Sequence, residues 1–201
     1  MKFRIPLTLV RVIVVVMVAQ QASPLLAQSK DGNQKEVRPK TRFTAAELIV
    51  LVPSPRPEDV RSPKALVLAL HDSISGPIGP FNSDRFRSLF LPTATIGEAG
   101  LEASGKPHIV FQSVRDWIVS VGDLRPRVSV HETVYKMRIE QFGSIATGFY
   151  SHNSVTSENG TTDIRRVNAC EMLYDVNRWW IASVVWNVIP KNWDLPQDLE
   201  P

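Results

Sequence analysis

The sequence predicts an α+β fold in which three helices precede a strongly curved antiparallel sheet of four to six strands. Apolar residues recur at helical spacing before residue 123, and from there to about residue 190 they alternate at a period of two. Turn residues separate four long alternating runs, and one turn is Asn159-Gly160, the dipeptide that most strongly marks a hairpin. We therefore expect the helices to come first and the hairpins to follow.

The first 27 residues are typical of a signal peptide. Lys2 and Arg4 form a basic start, an apolar run extends from residue 12 to residue 19, and Ala27 is a small residue suited to cleavage. The run is shorter than the roughly 20 residues that span a bilayer, which disfavours the alternative of an uncleaved anchor. We expect an exported protein, secreted or periplasmic, with no membrane attachment after cleavage.

Charge and cysteine content exclude several classes of function. Residues 1–27 carry three of the 23 basic side chains and none of the 20 acidic ones, so the mature chain has 20 of each and lacks the basic excess of a nucleic-acid binder. Cys170 is the single cysteine, which excludes an intramolecular disulfide. The chain has no Gly-rich phosphate loop, no nucleophile elbow and no helix-borne His-Glu pair, so we predict neither a cofactor nor a metal.

Residues 28–61 are rich in Lys, Arg, Glu and Pro and predict a flexible linker. The segment "TAAELIVLV" at residues 44–52 predicts either a short element docked on the domain or more linker. The domain itself is expected over residues 62–190, followed by a C-terminal tail over 191–201. It begins with Ser62 as a helix N-cap and Pro63 at the first helical position, ahead of "KALVLALHDSI".

Two further helices and four strands complete the predicted domain. The second helix, "SDRFRSLF", starts at Ser83, and the third is "KPHIVFQSVRDWIVSVG", which ends at Gly122. The strands are "RVSVHETVYKMRIEQ", "SIATGFYSHNSVTSE", "TTDIRRVNACEMLY" and "RWWIASVVWNV". With tight hairpins, one row of a mixed face contains Glu132, Asn153, Arg166 and Asn187. The opposite face, with His152 and Trp186, is apolar enough to be covered by the helices.

Three phrases, "FRSLFLPTATI", "FGSIAT" and "DVNRWWIASVVW", resemble sequence patterns of the nuclear transport factor 2-like superfamily, specifically of its SnoaL-like and ketosteroid-isomerase-like members. The resemblance covers about residues 62–190. It implies a cone-shaped fold whose helices and curved sheet enclose a pocket, commonly in homodimers. It implies no single activity, because members include isomerases, cyclases, dehydratases, binding modules and scaffolds.

The predicted pocket is mostly aromatic. Its expected ligand-binding residues are His71, Trp117, His131, Tyr135, Tyr150 and Trp186. In the isomerase-like members an acidic general base follows the phrase that "ATI" resembles, which places Glu98 in that role with His152 or Tyr150 as the donor. The isomerases' oxyanion hole, a tyrosine plus a protonated aspartate, has no clear match in this chain. Shared catalysis or metal binding by the histidines is a further alternative.

Since no complete acid-base set can be assembled, the sequence favours a domain that binds a small apolar molecule. One alternative is a cofactor-free isomerase, cyclase or dehydratase that uses Glu98 and His152. Another is a structural interaction domain whose cone is filled by its own side chains. The mixed face of the sheet predicts a homodimer, with burial under residues 48–52 as the alternative.

Overall fold

The computed structural model describes residues 44–102, 104–157, 161–190 and 193–200. The predicted signal peptide, the linker up to residue 43 and the Asn159-Gly160 turn lie outside these ranges. Within them, no helix is long and apolar enough to cross a membrane.

The α+β prediction is confirmed. The α-helices are α1 (Ala45–Leu48), α2 (Pro57–Val60), α3 (Pro63–Ile74), α4 (Ser83–Ser88) and α5 (Val114–Leu124). The strands are β1 (Phe90–Leu101), β2 (Pro107–Ser113), β3 (Ser129–Phe142), β4 (Ile145–Ser157), β5 (Thr161–Asp175) and β6 (Arg178–Val188). Short 3-10 helices occur at Ile49–Leu51 and Gln197–Leu199. The helix over 63–74 and the last four strands lie close to their predicted bounds.

The sheet has six strands in the order β2-β1-β6-β5-β4-β3, with β2 and β3 at its edges. Neighbouring strands are antiparallel except β1 and β6, which run parallel. The sheet is therefore mixed, whereas the prediction was antiparallel throughout. Hairpins join consecutive antiparallel strands, but β1 reaches β6 only through the long intervening chain, which is what a parallel pair requires.

The third predicted helix is wrong in its first half. Residues 107–113 form β2, which pairs with β1 so that Ile109 lies opposite Ala99. The sequence "HIVFQ" is rich in β-branched and aromatic residues, which fit a strand at least as well as a helix. The helix begins only at Val114, because the hydroxyl of Ser113 accepts a hydrogen bond from the Asp116 backbone N–H at 3.1 Å and caps it.

The predicted strand registers are also wrong, by one or two residues. The first hairpin turns at Gly143-Ser144, so Glu132 lies opposite Ser154 instead of Asn153. Arg166 lies opposite His152. The register of β3 against β4 shifts between residues 134 and 137, and that of β5 against β6 shifts between residues 171 and 172. Because a one-residue slip moves a side chain to the other face, Glu132 and Arg166 share the helix-covered face with His152.

Residues before the predicted domain start also pack on the domain. Asp59 and Val60 of α2, which the sequence assigns to the linker, are buried at 6% and 5% exposure. Arg85 of α4 donates to both carboxylate oxygens of Asp59, at 2.8 and 2.9 Å, and to Asp72 of α3. A two-pronged arginine–carboxylate pair of this kind fixes orientation as well as distance, so α2, α3 and α4 are held together.

The C-terminal segment 193–200 covers part of the other face of the sheet. Leu195 and Leu199 are buried, and the Ser151 hydroxyl of β4 donates to the Leu199 carbonyl at 2.6 Å. Arg138 of β3 forms an ion pair with Asp198. The sequence predicts a homodimer on this face, with burial under residues 48–52 as the alternative. The carbonyl of Leu51 in that segment accepts a hydrogen bond from Arg87 of α4.

Candidate functional site

A cavity of about 200 Å³ lies between the helices and the covered face of the sheet. Helices α3, α4 and α5 contribute an apolar wall that includes Phe86 and Trp117, whose rings stack with centroids 4.3 Å apart. The sheet contributes Ile96, Val184 and Trp186 and almost all of the polar groups. The polar residues around the cavity are His71, Glu132, His152, Ser154, Thr156, Arg166 and Asn168.

His71 is brought to the cavity by the packing of α3. The N-cap Ser62 and Pro63 set the start of this helix, and its buried stripe contains Val67 and Leu70. His71 falls on the same stripe, one turn after Val67, and is only 4% exposed. The helix therefore points an imidazole at the sheet.

Ser75 fixes the distance between His71 and the sheet. Its hydroxyl donates to the backbone carbonyl of His71 at 2.8 Å and accepts from the backbone N–H of Glu132 at 2.9 Å. One side chain thus holds the end of α3 against β3. The side chains of His71 and Glu132 meet as a result, with Nδ1 and Oε2 2.7 Å apart.

A buried chain of hydrogen bonds runs from the sheet to His71 and back. The Asn168 amide donates to the Tyr150 hydroxyl oxygen at 3.1 Å, and that hydroxyl lies 3.0 Å from Nε2 of His71. If Tyr150 donates its proton to Nε2, a neutral His71 protonated at Nδ1 can donate to Glu132, and every contact in the chain is satisfied. The network therefore selects one tautomer of His71.

The same surroundings set the protonation of the neighbouring groups. Burial raises the pKa of Tyr150 well above its ordinary value, so the phenol keeps its proton. Burial also acts to raise the pKa of Glu132, but the hydrogen bond from His71 and nearby positive charge outweigh it, and this carboxyl has a lowered pKa. For His152, burial and the proximity of His71 lower the pKa to about 3. At neutral pH the site holds a carboxylate and a neutral His152.

One polar atom beside the cavity, Nη1 of Arg166, lacks a hydrogen-bond partner within the described part of the chain. Burial lowers the pKa of Arg166, an effect that Glu132 and Glu98 partly offset. Buried polar atoms are paired in most native proteins, so this atom marks a place where a polar partner belongs.

His71, Glu132 and His152 also offer ligand atoms for a metal within 4.8 Å of one another. Both ring nitrogens of His71 already take part in hydrogen bonds, however, and His152 Nε2 lies 4.0 Å from Glu132 Oε1. Tetrahedral zinc, with bonds of about 2.0–2.2 Å, would need the 2.7 Å Nδ1–Oε2 pair to move apart, the 4.0 Å pair to move closer, and the Nδ1 proton to be displaced. The cluster is described more simply as a hydrogen-bonded network.

The structure distributes the sequence-predicted site residues over several places. His71, Trp117, His152 and Trp186 line the cavity. Tyr150 is fully buried behind His71. Glu98 lies beside the lining, where its carboxylate accepts a hydrogen bond from Trp186 Nε1 at 3.0 Å. His131 is exposed and Tyr135 is 38% exposed, and neither is part of the lining.

The sequence interpretation did not assign five polar lining residues to the pocket: Glu132, Ser154, Thr156, Arg166 and Asn168. For Glu132 and Arg166 the cause is the register error, which put both on the other face. Ser154 follows His152 by two positions on the same strand, and this alternation was a signal that could have found it.

Weak bases surround the cavity. Efficient general bases have a pKa near the working pH, whereas the pKa of His152 is about 3 and that of Glu132 is lowered. Tyr150, at the other end of the network, has no exposed surface and keeps its proton. The arrangement is better suited to holding a molecule by hydrogen bonds than to taking a proton from it.

Comparisons with known proteins give a likeness in structure only. No family model and no curated protein matches the chain. A protein of unknown function with a cystatin-like fold from Nostoc punctiforme aligns at 9% identity and a TM-score of 0.48, over 64% of this chain and 89% of its own. NTF2-like proteins of unknown function from Silicibacter pomeroyi and Shewanella baltica are each 15% identical.

The Silicibacter pomeroyi protein has a TM-score of 0.44, over 63% of this chain and 92% of its own. The Shewanella baltica protein has a TM-score of 0.41, over 65% of this chain and 98% of its own. The NTF2-like name that both carry is the abbreviation of the superfamily that the sequence phrases resemble. Likeness at this level says nothing about ligand or reaction.

Proposed function

We propose that the domain binds a small, mostly apolar molecule in the cavity under the sheet, as part of an exported protein. The observation that carries this proposal is the cavity itself, which the chain's own side chains leave open although the core around it is closed. Leu66, Phe86 and Trp180 in that core are at most 1% exposed. The signal-like residues 1–27 support the export part of the proposal.

The apolar wall of the cavity is the main energetic argument. Phe86, Trp117 and Val184 are among the apolar side chains that line it. A molecule with an apolar surface that covers this wall removes it from water, which is worth about 25 cal/mol per Å².

Binding is favoured over catalysis by the protonation states of the site. Two of the groups that line the cavity are unsuited to proton abstraction at neutral pH, because the pKa of His152 is about 3 and that of Glu132 is lowered. The predicted base Glu98 is not part of the lining, and its Oε2 accepts a hydrogen bond from Trp186.

Native mass spectrometry of the protein purified from its own host tests the proposal. We expect a bound molecule of defined mass, and its loss in a Val184→Phe variant, because Val184 lines the cavity and a larger ring there takes its space. Val167→Phe is the matched control, since Val167 lies on the opposite face of the sheet. A wild-type protein that carries no molecule, or a Val184→Phe variant that retains it fully, contradicts the proposal.

A further inference from the structure

The part of an occupant that the cavity can enclose is about one ring. Pockets for drug-sized ligands measure roughly 300–1,000 Å³, and an apolar cavity of about 150 Å³ admits benzene. At about 200 Å³, this cavity holds a single ring with one small substituent. The ring has a place against Trp117 and Trp186.

The polar groups lie on one side of the cavity. Helices α4 and α5 present only apolar side chains to it, whereas β4 and β5 present Ser154, Thr156, Arg166 and Asn168. Ser154 lines the cavity and is only 3% exposed. A molecule in this space therefore meets an apolar wall on one side and hydrogen-bonding groups on the other.

The charges beside the cavity do not favour a charged occupant. Arg166 and Glu132 both line it and carry opposite charges, and His152 is neutral at neutral pH. Glu98 acts on Arg166 from just outside the lining. The charge of Arg166 is thus partly balanced by two carboxylates before any molecule binds, so an anion would gain less from it. A cation would lie beside its guanidinium, and burying a charge that is not paired is costly.

From these three features we propose that the occupant is an uncharged, phenol-like molecule: one ring that carries a hydroxyl or carbonyl group. The ring packs on the aromatic wall, and its polar group hydrogen-bonds to the β4–β5 side through Ser154 or the unpartnered Nη1 of Arg166. This inference rests on the proposed binding function and narrows it to a class of ligand.

Four probes that share one ring separate the possibilities: phenol, toluene, benzoate and benzylamine. Their binding to the full chain is measured by calorimetry at neutral pH, where phenol is uncharged. We expect phenol to bind about fivefold more tightly than toluene, the effect of one net hydrogen bond. Benzoate and benzylamine should bind more weakly than either.

A pair of variants locates the hydrogen bond. Ser154→Ala should weaken phenol binding about 2- to 10-fold and leave toluene unchanged, because it removes a hydroxyl without opening the apolar wall. Ser157→Ala, on the same strand but outside the lining, should change neither. Thermal unfolding of each variant checks that it folds.

The outcomes distinguish this inference from the function on which it rests. Toluene bound as tightly as phenol, or a charged probe bound best, overturns the phenol-like class and leaves apolar binding in place. If the wild type, Ser154→Ala and Arg166→Gln all bind phenol with equal affinity, neither side chain makes the assigned hydrogen bond. That result also overturns the phenol-like class. Failure of all four probes on folded protein overturns the one-ring class, whereas a wild-type protein that carries no molecule in native mass spectrometry overturns the proposed function itself.

Discussion

His152 should make the domain sensitive to acid. Its pKa is lowered from 6.5 to about 3 in the folded protein, first by burial and then by His71. The unfolded chain therefore takes up a proton that the folded chain refuses. Stability from this residue is fully present above pH 6.5 and is lost as the pH falls from there towards 3.

The size of the effect follows from the pH chosen. At about pH 5 His152 is mostly protonated in the unfolded chain and neutral in the folded one. The free energy of unfolding falls by about 1.36 kcal/mol for each pH unit below 6.5, which gives about 2 kcal/mol at this pH. We expect the wild type to lose this amount between pH 7.5 and about pH 5, over and above the loss in a His152→Gln variant. Urea unfolding at both pH values measures it.

The quantity compared is the change in unfolding free energy between the two pH values, in the wild type and in His152→Gln. Any loss of stability that the substitution causes equally at both pH values therefore cancels. His131→Gln serves as the matched control, because His131 is exposed on the neighbouring strand. It should keep the acid sensitivity of the wild type. If His152→Gln loses as much stability between the two pH values as the wild type does, the buried neutral state assigned to His152 is wrong.

Three further predictions concern other parts of the chain. Tyr150→Phe leaves His71 Nε2 and the Asn168 amide without their shared partner, so urea unfolding should show a loss of about 2–4 kcal/mol, whereas Tyr135→Phe at an exposed site should stay within about 0.5 kcal/mol. Removal of residues 191–201 uncovers the face under Leu199; we expect light scattering to report a larger dimer fraction than for the intact chain, in keeping with the proposed homodimer, and a strictly monomeric truncated protein would count against it. Mass spectrometry of protein from its native host should find Gln28 as the first residue, and Met1 there would rule out export.

The sequence was sufficient for the strands because their turns carry strong local signals. The hairpin over Asp175 to Arg178 and the alternation of β3 to β6 placed four strands within about two residues of their observed ends. Residues 107–113 were harder, since "HIVFQ" satisfies helical and extended spacing equally. These residues form a strand because they pair with β1, and this tertiary contact cannot be read from local spacing.

Only some of the site residues could be predicted, because alternation along one strand is visible in the sequence and register between strands is not. His152 and Trp186 were placed on the covered face by alternation along their own strands, and the structure has them there. Glu132 and Arg166 depend on register between strands, and the irregularities in β3–β4 and β5–β6 leave no clear mark in the sequence. The periodicity of the sequence therefore predicted an aromatic site and missed its two charged residues, Glu132 and Arg166.

The order of strands has a consequence for how the chain folds. β6, residues 178–188, lies inside the sheet between β1 and β5. β1 therefore lacks its parallel neighbour, and the cavity wall lacks Trp186, until a strand from a distant part of the chain is in place. Sheets that depend on such distant pairings form slowly.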